Sequence, residues 1–283
     1  MKLREINVSQ IIPVVKKLCI DANYYVNEDL LAKLKEFMKK EESPVGKEIL
    51  SQIIKNDELA GELQLPMCQD TGVAVFFVDL GQDVHIVGGN FYDSINEGVR
   101  QGYTEGYLRK SLVTDPVIER KNTKDNTPAI IHTTIVQGDR IKIDFAPKGG
   151  GSENMSEIRM MTAADGIEGV KRFVIERVKR SGGNPCPPVI VGVGIGGDFE
   201  KCAILSKEAL LRPLNEENPD PKWKTIENEL LYKINNLGIG PMGLGGRTTA
   251  LSVNILTFPC HIASMPVAVN IQCHAARHKS AII

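Results

Sequence analysis

Between Pro66 and Gly72 the backbone has few choices. Pro66 lacks an amide donor and disfavours helix at Leu65, and Gly72 permits a tight reversal ahead of the apolar run from Val73 to Val78. Cys68, Gln69 and Asp70 therefore fall on a loop that feeds a strand, three chemically capable side chains in consecutive positions. Local sequence leaves two meanings open. Cys68 can be a small buried apolar residue and Asp70 a turn or cap residue, or both can be reactive groups.

Length alone does not decide whether 283 residues with 42% hydrophobic content bury one large core or two modest ones. We expect a single unit over 1–283, with a helical N-terminal layer over 1–62 and a mixed body over 63–283. A formal net charge of -1 offers no chain-wide electrostatic reason to bind nucleic acid or anionic lipid. No apolar run approaches the roughly 20 residues of a membrane span, and the opening Met-Lys-Leu-Arg-Glu lacks the apolar core of a signal peptide. The expected location is cytoplasmic. Six cysteines without an export signal read as reduced thiols or metal ligands, not as a disulfide framework.

Ile11, Val14, Val15 and Leu18, then Leu30, Leu31, Leu34 and Phe37, recur at helical spacing, and Ser43-Pro44 looks like the start of a third helix. Asn27, before Glu28 and Asp29, is the expected cap of the second. Cys19 lies among these apolar residues and reads as core. A strand over 73–80, a turn at Gly81-Gln82-Asp83 and a strand over 84–87 suggest a hairpin. Tyr92 to Leu112 reads as one amphipathic helix, with Arg109 and Lys110 in its last turn complementing the dipole. Residues 129–136 and 140–145, around Gly138-Asp139, suggest a second hairpin. It leads through Lys148-Gly149-Gly150-Gly151-Ser152 to a helix from near Glu153, where bare amides can meet an anion.

A helix over 157–180, interrupted by Gly166 and Gly169, precedes Pro185-Cys186-Pro187-Pro188, whose prolines restrict the direction of Cys186. Strand-like Val189-Ile190-Val191 then meets Gly192, Gly194 and Gly197, the spacing of a dinucleotide fingerprint ahead of a helix near Asp198. Such a fold needs a second strand soon after that helix, closed by an acidic residue. Instead Arg212 to Pro219 is a polar loop, followed by another helix over 222–236. Cys202 reads as core. Strands over 251–257 and 267–271 flank Phe258-Pro259-Cys260-His261. His85 and His132 fall on strands and His274 and His278 read as surface residues. The pattern as a whole is α+β, an N-terminal helical layer followed by largely antiparallel strands interleaved with helices.

Four segments occur together and in one order: Cys-Gln-Asp-Thr-Gly at 68–72, Lys-Gly-Gly-Gly-Ser-Glu-Asn at 148–154, Cys-Pro-Pro at 186–188, and the stretch from Gly238 to His278. In these the chain resembles the alpha subunit, or N-terminal domain, of class I iron-sulfur fumarate hydratases and L(+)-tartrate dehydratases, over nearly its whole length. The resemblance implies a 4Fe-4S cluster on Cys68, Cys186 and Cys273, whose separations match neither a zinc finger nor a ferredoxin run. Three thiolates would hold three irons and leave the fourth as a Lewis acid for a substrate carboxylate and hydroxyl.

By the same resemblance Asp70 handles protons with His261 in the site, Gln69 and Arg109 bind carboxylate oxygens beside Asp70, and Gly151 makes a backbone contact with the dicarboxylate. Ser152 and Asn154 are weaker candidates for that pocket. The family pattern selects His261 and Cys273 and leaves Cys260 a bystander. The implied reaction is reversible hydration of fumarate to L-malate, a tricarboxylic acid cycle step, with L(+)-tartrate dehydration as the alternative. A nucleotide-dependent oxidoreductase, resting on Gly192 to Gly197, is more distant. Fused members continue into a second domain with further basic groups, so the expected partner is a separate beta subunit within a hetero-oligomer.

Overall fold

The computed structural model describes residues 3–283; Met1 and Lys2, part of the segment read above for a signal peptide, lie outside the described residues. The elements run β1 (Arg4–Asn7), α1 (Val8–Tyr24), α2 (Glu28–Lys40), α3 (Pro44–Leu63), β2 (Val73–Gly81), β3 (Val84–Val87), α4 (Phe91–Glu105), β4 (Ile130–Val136), β5 (Ile141–Lys148), α5 (Gly150–Glu153), β6 (Glu157–Met161), α6 (Gly166–Ser181), β7 (Val189–Gly196), α7 (Phe199–Glu208), α8 (Pro221–Asn235), β8 (Ala250–Phe258), β9 (Met265–Gln272) and β10 (Lys279–Ile282). This is the mixed α and β class the sequence pattern predicts, with helices at the N-terminus. Its sheets are mixed: among the described residues four strand pairings are antiparallel and three parallel.

Two compact units emerge, each discontinuous in sequence. One holds the residues up to Val26, Asp57–Gly150 and Arg277–Ile283; the other holds Asn27–Asn56 and Gly151–Ala276. Local capping explains where the N-terminal helices begin. The Asn7 side chain accepts from Ser9 N at 2.9 Å, and Ser43 Oγ accepts from Gly46 N at 3.1 Å ahead of Pro44 at the first helical position. Asn27 does stand at the cap of α2, where its carbonyl accepts from Leu31 N at 3.1 Å.

In the first unit the sheet order is β10-β5-β2-β4, with β2 parallel to β4 and antiparallel to β5. Neither expected hairpin forms, for one reason. Ala74, Val75, Phe76 and Val78 are all buried, so β2 takes the interior of the sheet and needs a neighbour on each edge. It inserts between β4 and β5, whose connection crosses its end, where Gly81 N donates to Arg140 O and Gln82 N to Val136 O, both at 2.8 Å. With both edges of β2 taken, β3 pairs in parallel with β1. Phe76 and Phe145 stack at 4.9 Å in a core closed by Ile11 and Val15 of α1 and Ile95, Val99 and Tyr103 of α4. Helix α4 stops at Gly106 and Tyr107 is left-handed at φ 50°, so Arg109 and Lys110 lie beyond the helix and not in its last turn.

The second unit is built on a sheet of order β6-β9-β7-β8. Alternation along β7 sends Val189, Val191 and Val193 to the face covered by Phe173 and Val174 of α6 and Leu230 and Ile234 of α8. Each such buried valine contributes about 1.5–3 kcal/mol. Gly192 and Gly194 face α7, where an added Cβ would stand 2.0 Å from Ser206 O and 2.0 Å from Cys202 O. The glycine fingerprint is thus a close helix-on-strand contact. The helix expected over 157–180 resolves into β6, a 3-10 turn capped by Thr162 and Asp165, and α6. Five residues of Glu-Ile-Arg-Met-Met do not distinguish strand from helix by periodicity. The helix expected near Glu153 is the single turn α5.

Candidate active site

In the first unit the site begins with the start of β2. Val73 pairs with Lys148 at the end of β5, and a Cβ on Gly72 (φ 77°) would lie 2.7 Å from Lys148 N, so only glycine fits there. That pairing sets the 68–72 loop beside the glycines that follow β5. Gly150 N donates to Asp70 Oδ2 at 2.8 Å and Gly72 N donates to Asp70 Oδ1 at 3.1 Å. Both carboxylate oxygens are thereby oriented by backbone amides, each keeping a lone pair free for a proton or a ligand.

Behind the loop stand buried donors. Tyr103 shares its hydroxyl proton between Thr71 O at 2.8 Å and Gly72 O at 3.0 Å, and Asn126 Nδ2 donates to Gly72 O at 3.1 Å. Thr71 Oγ1 donates to Arg109 O at 3.0 Å, and Arg277 Nη2 donates to Asp70 O. Burial pushes the Tyr103 hydroxyl well above the usual range, reinforced by Cys19 and Asp70 and opposed by Arg277, so it stays a donor. On the outer side Cys68 is half-buried with Sγ donating to Gln69 Oε1 at 3.5 Å, while Gln69 and Arg109 are exposed.

The second unit brings two further cysteines side by side. Cys186, left-handed at φ 54°, donates its amide to Gly183 O at 3.0 Å, and its carbonyl accepts from His274 N at 3.2 Å. Ile190 pairs with Gln272, so the entry to β7 and the exit from β9 share one end of the sheet, with Cys186 and Cys273 both half-buried there. Gly151 belongs to the same neighbourhood, a Cβ on it lying 3.5 Å from Asn184 O. Ser152 is buried and Asn154 exposed. Lys207 Nζ at 2.6 Å and Asn270 Nδ2 at 3.3 Å hold the Glu153 carboxylate and with it the turn α5.

His261 stands at the other end of β9 from Cys273. Eight strand residues separate the two loops, roughly 25 Å at the usual rise. There His261 lines an open cleft of about 560 Å³ with Asp198, Lys201, Phe258 and Cys260. Its Nδ1 accepts from Ala263 N at 3.1 Å, and Cys260 Sγ lies 3.2 Å from Ser264 O. Among the described residues no group of three or more His, Cys, Asp or Glu is gathered closely enough to hold a metal ion.

Residues 12–282 match the model of the fumarate hydratase (Fumerase) family. The chain belongs to that family. It is similar to the putative L(+)-tartrate dehydratase subunit alpha of Methanocaldococcus jannaschii, 44% identical over 272 residues that cover 93% of this chain and 94% of that one. It is also similar to the L(+)-tartrate dehydratase subunit alpha of Escherichia coli K12, 34% identical over 258 residues, 90% of this chain and 85% of the other. Hydratases and dehydratases are hydro-lyases, so the fumarate hydratase family to which the chain belongs is a hydro-lyase family.

The thiols fit an iron-sulfur centre in kind. Cys68, Cys186 and Cys273 are half-buried thiols, whereas Cys19 and Cys202 are sealed in cores as the sequence pattern predicts. Burial lifts the Cys202 thiol to about 11 and the Cys19 thiol higher still, away from the thiolate form that binds iron. Sequence reasoning missed Gly150, whose amide reaches Asp70. It also missed Tyr103, Asn126 and Arg277. Tyr103 reads as one more apolar residue of α4, Asn126 belongs to no motif, and Arg277 lies within the stretch from Gly238 to His278 without being singled out by it. No helix among the described residues is long and apolar enough to cross a membrane.

Proposed function

We propose that this chain is the alpha subunit of a two-subunit 4Fe-4S hydro-lyase that reversibly hydrates fumarate to L-malate in the cytoplasm. The observation that carries it is the clasp of Asp70 by the amides of Gly150 and Gly72, at 2.8 Å and 3.1 Å, which joins two of the family's motifs at one carboxylate. Cys68, Cys186 and Cys273 would hold the cluster, which when bound supplies a Lewis-acidic iron for the substrate's carboxylate and hydroxyl. Gln69 and the Arg109 guanidinium, both exposed, bind the substrate carboxylates, and the Gly151 amide gives a further donor. Asp70 moves the proton at whichever of Oδ1 and Oδ2 faces the substrate, its plane held by the two amides. His261, at the far end of β9 from Cys273, takes part only from another copy of the chain.

A second reading, L(+)-tartrate dehydration, is favoured by the names of the relatives. L-malate and L(+)-tartrate differ by one hydroxyl, and none of the contacts above distinguishes them. Those relatives are named as alpha subunits, which supports a beta subunit as the partner that completes the site. The test is anaerobic co-expression with the presumed beta subunit, iron and sulfide analysis, and assays with fumarate, L-malate and L(+)-tartrate. Turnover of fumarate by the pair, with little by this chain alone, is expected. A pair that binds iron and sulfide yet turns over none of the three would sink the proposal.

A further inference from the structure

Arg277 is a buried cation without an ion-pair partner among the described residues. Only 2% of it is exposed, Nη2 donates to the Asp70 carbonyl, and Nε and Nη1 are buried with no acceptor. The Asp70 carboxylate forms no ion pair with it and accepts instead from the amides of Gly72 and Gly150. Desolvating a guanidinium is costly when no opposite charge compensates, so buried charges are ordinarily paired. The fold therefore keeps a positive charge against the inner side of the loop whose outer side presents Cys68, Gln69 and Asp70. Tyr103 and Asn126 tether the next two carbonyls of the same loop without adding charge, which separates what Arg277 does as a clamp from what it does as a cation.

We propose that Arg277 is the counter-charge for a dicarboxylate bound at this loop. The substrate's negative charge supplies what the fold withholds from Arg277, and the guanidinium fixes the Asp70 peptide plane as it does so. Arg277 is a positioning residue, acting through the Asp70 peptide and through its field. The inference rests on the reading above that this loop binds a dicarboxylate.

The test uses the reconstituted two-subunit holoenzyme and succinate, a saturated dicarboxylate that cannot be hydrated, as the probe. Succinate affinity is measured by titration calorimetry and as competitive inhibition for the wild type, Arg277→Gln and Arg277→Lys, with thermal midpoints to verify folding. Arg277→Gln is expected to weaken succinate about tenfold, the size of effect a unit charge exerts through several ångströms of protein, and to raise KM more than it lowers kcat. Arg277→Lys, which keeps the charge, stays within about threefold of the wild type. Unchanged affinity in Arg277→Gln, or equal losses in both variants, would overturn the proposal. If Arg277→Gln does not fold, Arg277→Lys decides: wild-type affinity supports the counter-charge and a tenfold loss overturns it. Wild-type protein that binds no succinate also overturns it, whereas binding without turnover of any of the three substrates counts against the hydro-lyase reading alone.

Discussion

The amide of His274 donates to the carbonyl of Cys186 at 3.2 Å, so one backbone hydrogen bond joins the segments that carry Cys186 and Cys273. Cys260, by contrast, sits at the opposite end of β9. Cys186→Ser and Cys273→Ser are each expected to abolish the visible absorbance of the anaerobically reconstituted protein, and Cys260→Ser to leave it intact. Loss of absorbance in Cys260→Ser with retention in Cys273→Ser would reverse the assignment.

Gly72→Ala places a methyl group 2.7 Å from Lys148 N at a backbone φ of 77°. The left-handed conformation alone costs a non-glycine residue roughly 1–3 kcal/mol, and the clash adds to it. Urea unfolding is expected to show a destabilisation of at least that size, together with loss of activity from a displaced Asp70.

Glu41 makes the second unit sensitive to acid. Its carboxylate is 2% exposed, and burial pushes its pKa up. Hydrogen bonds from Thr248, from Arg247 N and from Ser43 N outweigh burial and hold it at about 2, below the ordinary 4.5. A depressed carboxylate stabilises the fold fully above its unfolded value and loses that contribution as pH falls through the folded one. Between about pH 5 and pH 2 this group is expected to withdraw on the order of 3 kcal/mol. Urea midpoints followed through that interval test it, with Glu41→Gln less stable at neutral pH and flatter below it.

Gly194→Ala would drive a methyl group to 2.0 Å from Cys202 O. A loss of more than about 3 kcal/mol is expected, the range of severe overpacking. Wild-type protein titrated with nicotinamide nucleotides is expected to give no saturable signal, since these glycines serve helix packing. A micromolar nucleotide affinity would restore the oxidoreductase alternative.

His261 can be tested by mixing two defective chains. If it serves the site of another copy, co-assembling His261→Asn with Cys273→Ser recovers part of the activity that each lacks alone. No recovery in mixed assemblies verified by mass would remove His261 from the reaction.

Local sequence located most elements and few of their neighbours. The apolar runs that became β2, β4 and β5 are plain, yet adjacency in sequence suggested two hairpins where the chain threads β2 between β4 and β5. Which strand lies centrally is settled by burial on both faces, a tertiary property that short turns such as Gly138-Asp139 do not encode. The end of α4 was misplaced because Gly106 and Tyr107 break a pattern whose apolar periodicity continues to Leu108. β1, β6 and β10 went unseen: each is only four or five residues long, and unlike the equally short β3 none follows a clear strand and turn in the sequence. At the site, motif residues were visible because their chemistry is crowded into short segments. Tyr103, Asn126 and Arg277 act on the 68–72 loop from distant parts of the chain, where no spacing rule connects them.

Strand β10 completes the first sheet against β5, and Ile283 exchanges hydrogen bonds with Ile141 at 2.9 Å and 3.1 Å. The body that holds β1 and α1 is therefore finished by residues made after every residue of the second unit. Almost all of the second unit emerges first and is free to fold while the first still lacks an edge strand and the arginine behind Asp70. A ribosome stalled just short of Arg277 would hold a chain that has made every residue of its second unit and has yet to close the unit that carries Asp70.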